Sequence, residues 1–205
     1  MLEPIRDLRV LDFDTECRPL AWYGGDFVTK QPTVIAWRFI GERAHTQVAY
    51  IGESDRNTEV LAEEWAMIEL FREAYDAADV VTGHYIRGFD LPLLDGALMR
   101  LGGSPLGPKM TQDTKLDLAK AQGISKSQEN LGAMFELDHP KVSMNTSKWA
   151  EANMLLPAGI DEAVNRCVGD VEQHIEMRAL MLKRGLLAPP VVWSPEGLGV
   201  GGYLA

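Results

Sequence analysis

Residues 10–20, "VLDFDTECRPL", place three carboxylates at alternate positions of a stretch that otherwise has the apolar character of a buried β-strand. Successive side chains of a strand point to opposite faces, so Asp12, Asp14 and Glu16 share one face. A row of carboxylates this close together repels itself unless water or a cation screens the charges. The stretch therefore predicts either an edge strand with one solvated face or a cation site, and the rest of the chain decides between them.

The composition is that of one packed domain, because 46% of the 205 residues are hydrophobic and only 24% are charged. A net charge of −10 argues against broad non-specific binding of polyanions. It is compatible with a nuclease that engages only a short single-stranded end, since bound cations offset carboxylates. No apolar run reaches the ~20 residues that span a bilayer, and the N-terminus lacks the form of a secretory signal. We expect a cytoplasmic protein, encoded by a bacterium or a phage, with Cys17 and Cys167 as free thiols.

The pattern along the chain predicts a three-layer α/β domain, in which a meander of strands is followed by alternating helices and strands. A Gly-containing aromatic connection is expected after the first strand, and Thr58 is the expected N-cap of the first helix. The predicted elements of the first half are the strands "VLDFDTE", "PTVIAWRFIG" and "RAHTQVAYIG", a helix after Thr58, the strand "ADVVTGH" and the helix "FDLPLLDGALMRLGG".

The second half is predicted to be mainly helical. Residues 111–123 and 126–137 are expected to form two short helices, and residues 138–149 a loop. A long helix is expected over about 161–184, with Asp161 as its N-cap. The domain is therefore assigned to residues 1–186, and residues 187–205 to an extended Gly/Pro-rich tail.

A second motif, "TGHYIRGFDLPLL" at residues 82–94, joins the end of a strand to the start of a helix. Asp90 lies at that helix start, with Pro92 tolerated in the first turn. Taken alone, an aspartate at this position is explained by helix capping.

Together these pieces resemble the DnaQ-like 3′–5′ exonucleases, the DEDD family of the ribonuclease H-like fold, over about residues 7–183. The first motif of that family, Asp-x-Glu, matches Asp14 and Glu16. The second matches "GHYIRGFDLPLL", which includes Asp90 and carries Tyr85 where asparagine is usual. The third, an aspartate in the final helix, matches Asp170. The resemblance implies a mixed five-stranded sheet, an antiparallel meander plus parallel strands, flanked by helices.

The resemblance also implies a two-metal site for Mg²⁺ or Mn²⁺, which prefer hard oxygen ligands. Asp14 would bridge both ions, Glu16 and Asp170 would complete the site of one, and Asp90 would hold the other directly or through water. The reaction would be hydrolysis of the 3′-terminal phosphodiester of single-stranded DNA, or RNA, with release of nucleoside monophosphates. A role in DNA replication or repair, beside a separate DNA polymerase or replication protein, would follow.

One departure concerns the general base, which the family places four or five residues before the last aspartate. Arg166 and Asn165 occupy those positions, and neither accepts a proton near neutral pH. Three outcomes stay open: slower hydrolysis without a protein base, a base supplied from elsewhere, or a non-catalytic module that binds a nucleic-acid end or a replication protein. His174, four residues after Asp170, is either a substitute base or an ordinary helix residue. Arg166 would pair with Asp170 or contact the scissile phosphate. Asp12 is either buried and paired or placed at the edge of the site.

Several other side chains are candidates for binding the nucleic acid. Leu20, Trp22 and Tyr23 are expected in a loop, where they would stack on terminal bases or pack on the core. Lys141 and Lys148 are candidate phosphate contacts. The predicted substrate-binding residues are Thr15, Leu20, Trp22, His84, Tyr85, Arg87 and Arg166.

A competing interpretation comes from the haloacid-dehalogenase-like phosphatases, since "LDFDTE" also fits the two aspartates of their first motif. Glu16 stands where that class has Thr or Val, and the class leaves "GHYIRGFDLPLL" unexplained. The nuclease interpretation is therefore favoured.

Overall fold

A six-stranded mixed sheet forms the centre of the structure, a computed structural model that describes residues 8–23, 27–52, 57–119, 123–139 and 143–196. Its strands are β1 (Val10–Tyr23), β2 (Phe27–Phe39), β3 (Gln47–Tyr50), β4 (Val80–Gly83), β5 (Lys109–Asp113) and β6 (Val191–Trp193). The helices of the described residues are α1 (Asn57–Ala77), α2 (Asp90–Leu101), α3 (Gln128–Phe135), α4 (Thr146–Asn153) and α5 (Pro157–Lys183).

The strand order is β3-β2-β1-β4-β5-β6, which places β1 in the middle of the sheet. The first three strands form the antiparallel meander that the sequence predicted, and β4 and β5 run parallel to β1. The carboxyl ends of β1, β4 and β5 therefore meet at one edge of the sheet, where α/β proteins commonly bind ligands. β1 continues beyond its pairing with β4, so the residues after Asp12 pair in the described structure only with β2.

Helices cover both faces of the sheet and complete the predicted three-layer arrangement. On one face, Leu11 and Phe13 of β1 pack in a buried cluster with Phe71 of α1 and Leu94 of α2. On the other face, the small side chains of β2 pack against α5, where Cys167 is buried. Alternation along β1 thus directs its apolar residues toward α1 and α2 and its carboxylates toward α5.

The sheet has one strand more than the five predicted. The structure differs from the prediction in the expected helix over 111–123 and in the expected tail. The helix expected over 111–123 is wrong, because residues 111–113 belong to β5 and residues 114–119 follow it in turns. Thr111, Gln112 and Asp113 are polar but buried, since neighbouring groups satisfy their side chains. The sixth strand comes from the expected tail: β6 pairs antiparallel with β5, and Trp193 is buried. Residues 197–205 lie outside the described part.

Helix boundaries also differ from the predictions. α1 begins at Asn57, so Thr58 lies inside the helix and is not its N-cap. α5 begins at Pro157, four residues before the expected cap Asp161; proline at the first position is pre-organised for a helix. Within the expected loop 138–149, residues from 146 onward form α4. The Asn145 side chain caps that helix by accepting a 3.0 Å bond from the N–H of Lys148.

Cys17 and Cys167 are free thiols, as predicted. Burial raises the pKa of Cys17 to about 11 and that of Cys167 well above its ordinary value, so both stay protonated at neutral pH. Among the described helices, none combines the length and the apolar character that a membrane crossing requires.

Candidate metal centre

Three carboxylates from two distant parts of the chain meet where β1 continues past its pairing with β4. Asp14, Glu16 and Asp170 each offer one oxygen, and these three atoms lie within 4.8 Å of one another. Asp170 is buried and the other two are half-buried. Carboxylate oxygens at this spacing are hard ligands, and the cluster is suited to hold a divalent cation such as Mg²⁺ or Mn²⁺.

The fold brings them together through the contact between β1 and α5. The Cys167 thiol donates a 3.3 Å hydrogen bond to the backbone carbonyl of Asp14, which fixes α5 over the strand. Asp170 lies one turn further along α5, and Asp14 and Glu16 lie on the strand face that α5 covers.

Asp90, the first residue of α2, is not one of the three clustered carboxylates but faces the same cavity. It lines a cavity of about 260 Å³ together with Asp14, Glu16 and Asp170. The hydroxyl of Thr15 donates a 2.5 Å hydrogen bond to Asp90 Oδ1, and Asp90 is only 3% exposed. Asp90 therefore contacts β1 through Thr15, a contact that helix capping does not explain.

Burial raises the pKa of Asp90 from its ordinary 3.8 to about 7. The bond from Thr15 and backbone N–H groups lower the pKa, while the charge of Asp113 raises it further. Without a cation, Asp90 therefore exchanges a proton near neutral pH. A bound cation would favour the carboxylate form.

Arg166 lies four residues before Asp170 on α5 and contacts two of the three carboxylates. Its Nε donates a 2.7 Å hydrogen bond to Glu16 Oε1, and its Nη2 lies 3.6 Å from Asp170 Oδ2. The guanidinium carbon lies 5.4 Å from the centre of the Trp149 ring on α4. The pairing with Asp170 was one of the predicted alternatives; the shorter contact with Glu16 was not predicted.

His174 is not among the described residues that line the cavity, so of its two predicted alternatives the substitute base is wrong and the ordinary helix residue agrees with the structure. Its Nδ1 lies 2.6 Å from Asp12 Oδ2, its Nε2 lies 2.9 Å from Thr114 Oγ1, and the residue is 2% exposed. One turn past Asp170, α5 has reached the first residues of β1, where His174 meets Asp12. Asp12 is thus the buried, paired alternative; burial raises its pKa and His174 lowers it.

His84 lines the cavity and continues this buried network. Its Nδ1 lies 2.9 Å from Thr114 Oγ1, and its Nε2 donates a 2.9 Å bond to the carbonyl of Lys126. Both ring nitrogens of His84 are therefore engaged by the protein.

The loop after β4 is held by Asp113. Tyr85 adopts a left-handed backbone conformation, with φ 73°, and its N–H donates a 3.0 Å bond to Asp113 Oδ1. The N–H of Arg87 donates to Asp113 Oδ2, and the Arg87 guanidinium pairs with the buried Asp117. Tyr85 lines the cavity, whereas Arg87 does not appear among the described residues that line it.

The remaining predicted contacts lie elsewhere. Leu20 and Trp22 belong to β1, because that strand extends to Tyr23, so the expected loop is wrong. Leu20 lines a separate cavity of about 440 Å³, and the side chain of Trp22 lies outside the described part of the structure. Lys148 pairs with Glu162, and Lys141 lies outside the described residues.

Four cavity residues were missed by the sequence analysis: Phe89, Lys115, Ser127 and Gln128. Lys115 follows β5 by two residues, and its Nζ lies 3.9 Å from the centre of the Tyr85 ring. A correct assignment of β5 would have placed Lys115 at the same sheet edge as the acids. Gln128 donates a 2.8 Å bond to the carbonyl of Asp170.

Comparisons with known proteins bear on the fold. No family model and no curated protein matches the chain. Among solved structures, it is similar to the family B DNA polymerase from the hyperthermophilic archaeon Pyrobaculum calidifontis, with a TM-score of 0.62 and 19% sequence identity. The match covers 85% of this chain and 24% of the polymerase chain, so the chain spans about a quarter of the polymerase's length. At this identity the likeness shows the α/β fold alone.

Proposed function

We propose that this chain is a metal-dependent 3′–5′ exonuclease of the DnaQ-like (DEDD) type, which hydrolyses the 3′-terminal phosphodiester of single-stranded DNA and releases nucleoside monophosphates. One observation carries the proposal: the oxygens of Asp14, Glu16 and Asp170 lie within 4.8 Å of one another in a cavity that Asp90 also lines. The fold shared with a DNA polymerase is a second support for a substrate made of nucleic acid.

The donor set fits the metals of this chemistry, because all four groups are carboxylates. Asp14, Glu16 and Asp170 would hold one Mg²⁺ or Mn²⁺ ion, and Asp90 with Asp14 a second. When bound, two such ions stabilise the charge on the attacking and leaving oxygens of a phosphoryl displacement. The hydrogen bond from Thr15 keeps Asp90 oriented toward the cavity.

Other cavity residues would bind the end of the strand. Tyr85 and Phe89 present aromatic rings on which a terminal base can stack. Lys115 and Arg166 bring positive charge to an otherwise acidic cavity, and their donors suit phosphate oxygens. We propose that the chain acts beside a separate DNA polymerase or replication protein.

A second candidate function is favoured by the position of Arg166. A guanidinium hydrogen-bonded to Glu16 stands where the family has its base, and it cannot accept a proton. A module that binds a 3′ end without cutting it would retain the cavity and need no base.

A cleavage assay separates the two functions. Single-stranded DNA labelled at its 5′ end, the same sequence as RNA, and a circular single-stranded DNA are incubated with the protein and Mg²⁺ or Mn²⁺. An exonuclease shortens the linear strand stepwise from its 3′ end, releases nucleoside monophosphates and leaves the circle intact. The Asp14→Ala variant abolishes shortening, whereas Asp161→Asn, an exposed aspartate of the same helix as Asp170, retains it.

Intact linear substrate with metal-dependent binding would instead support the non-cutting module. Shortening that persists in Asp14→Ala, or cleavage of the circle, would contradict the proposed exonuclease.

A further inference from the structure

Arg166 places a fixed positive charge between two of the three carboxylates of the candidate metal centre. Its Nε is 2.7 Å from Glu16 Oε1 and its Nη2 is 3.6 Å from Asp170 Oδ2. The Arg166 side chain is 16% exposed and the Glu16 side chain 13%, so water screens this pair only weakly.

Trp149 makes a second contact with the guanidinium. The indole lies 5.4 Å from the guanidinium carbon, within range of a cation–π contact. The ring is placed by α4, which is capped by Asn145 and packs on α5 through the buried Ala152. The Arg166 guanidinium therefore contacts both the carboxylates and an aromatic ring.

This arrangement has a consequence for cation binding. The bond from Arg166 engages the same carboxylate charge of Glu16 that would bind a cation. Both the cation and the guanidinium are attracted to the same negative charge, and close to one another they repel. Binding of a divalent cation is therefore weakened by Arg166.

A phosphate bound in the cavity would offer the Arg166 guanidinium a partner other than Glu16 and Asp170. Arg166 and the acids line the same cavity, and a guanidinium forms paired hydrogen bonds with phosphate as readily as with carboxylate. A nucleotide that accepts Arg166 would draw the guanidinium away from Glu16 and so reduce its repulsion of the cation. Because coupling between two ligands is reciprocal, the cation would then also strengthen nucleotide binding.

We propose that Arg166 competes with the divalent cation for Glu16 and Asp170, that Trp149 is a positioning residue for this competition, and that a nucleotide phosphate relieves it by accepting the guanidinium. The competition with the cation depends only on the acidic cluster, whereas the relief by a nucleotide rests on the proposed function.

The test is a titration of free Mn²⁺ by electron paramagnetic resonance, with and without deoxythymidine 5′-monophosphate, which needs no cleavage. Removal of one positive charge a few ångströms from the ligands is expected to tighten Mn²⁺ binding by Arg166→Gln about tenfold or more. Arg166→Lys, which retains the charge, is expected to gain less. Trp149→Leu is expected to tighten binding about two- to fivefold, because the guanidinium loses the ring that holds it.

The control is Arg38→Gln, which removes the same charge from a pair with Glu172 on α5. Arg38 is not among the described residues that line the cavity, so Mn²⁺ affinity should change less than twofold. Equal urea midpoints for the variants show that each is folded.

The nucleotide part is read from the ratio of Mn²⁺ dissociation constants without and with the nucleotide. Direct contact between the phosphate and the metal raises this ratio in every variant. Only the amount by which the wild-type ratio exceeds the ratio of Arg166→Gln is therefore attributed to Arg166. The wild-type ratio should exceed that of Arg166→Gln about threefold or more. Equal ratios would overturn this part of the proposal, and an unchanged or weaker Mn²⁺ affinity in folded Arg166→Gln would overturn the competition.

Failure of this proposal and failure of the exonuclease are distinguishable. Tighter Mn²⁺ binding by Arg166→Gln in a protein that cuts no substrate supports the competition and contradicts the exonuclease. Cleavage by the wild type together with unchanged Mn²⁺ affinity in Arg166→Gln would support the exonuclease and contradict the competition.

Discussion

Asp90 should destabilise the metal-free protein above neutral pH. Its pKa is about 7 in the folded protein and 3.8 ordinarily, because the carboxyl is buried. Since the folded-state pKa is the higher one, the stability from this group is complete below about pH 4 and is lost as the pH rises to about 7. At 1.36 kcal/mol per pH unit, the loss is about 4 kcal/mol, an upper value because hydration of the cavity relieves part of it.

The Asp90→Asn variant removes the charge and keeps an oxygen that can accept the bond from Thr15. In EDTA at pH 8, we expect its free energy of unfolding to exceed that of the wild type by about 2–4 kcal/mol, with the difference shrinking toward pH 5. Urea unfolding followed by tryptophan fluorescence at pH 5, 6, 7 and 8 measures this. Asp161→Asn, at an exposed position of α5, should follow the wild-type curve. Parallel curves for wild type and Asp90→Asn, or a less stable variant at pH 8, would refute the reasoning.

Three further outcomes follow from the structure. Mg²⁺ binding measured by calorimetry should weaken from pH 8 to pH 6 and release protons, because Asp90 must lose its proton, whose pKa is about 7; Asp90→Asn should flatten this dependence. Gly83→Ala should cost about 1–3 kcal/mol in urea unfolding, since its Cβ would lie 2.6 Å from a backbone oxygen of β1, whereas Gly107→Ala meets nothing within 4 Å and should cost far less. His174→Leu leaves Asp12 buried without its partner and should cost about 3–5 kcal/mol at pH 7, much of it recovered by adding Asp12→Leu; an additive double variant would contradict the pairing.

The parts of the fold that follow from local periodicity were predictable. Alternation over residues 10–16 predicts β1 and places Asp14 and Glu16 on one face, as the structure has them. The helix from Asp90 to its closing glycine, Gly102 with φ 77°, was predicted for the same kind of reason. β5 was missed because its buried polar residues resemble a surface segment, and only their partners elsewhere in the fold make burial tolerable.

The contacts that shape the site could not be predicted from local patterns. Arg166 and Glu16 are 150 residues apart, and Asp12 and His174 are 162 apart. Each pair depends on the angle and register at which α5 crosses β1, and packing across the whole sheet sets these. The resemblance therefore pointed to Asp14, Glu16 and Asp170, which the structure brings together, and left open which side chains would neutralise them.

The most direct test of the metal centre is a crystal soaked with Mn²⁺ and a nucleoside monophosphate. Its anomalous scattering is measured at an X-ray energy above the manganese absorption edge. We expect a strong anomalous peak within coordinating distance of Asp14, Glu16 and Asp170. A map with no peak among these three carboxylates, from a crystal whose bound manganese lies elsewhere, would contradict the account.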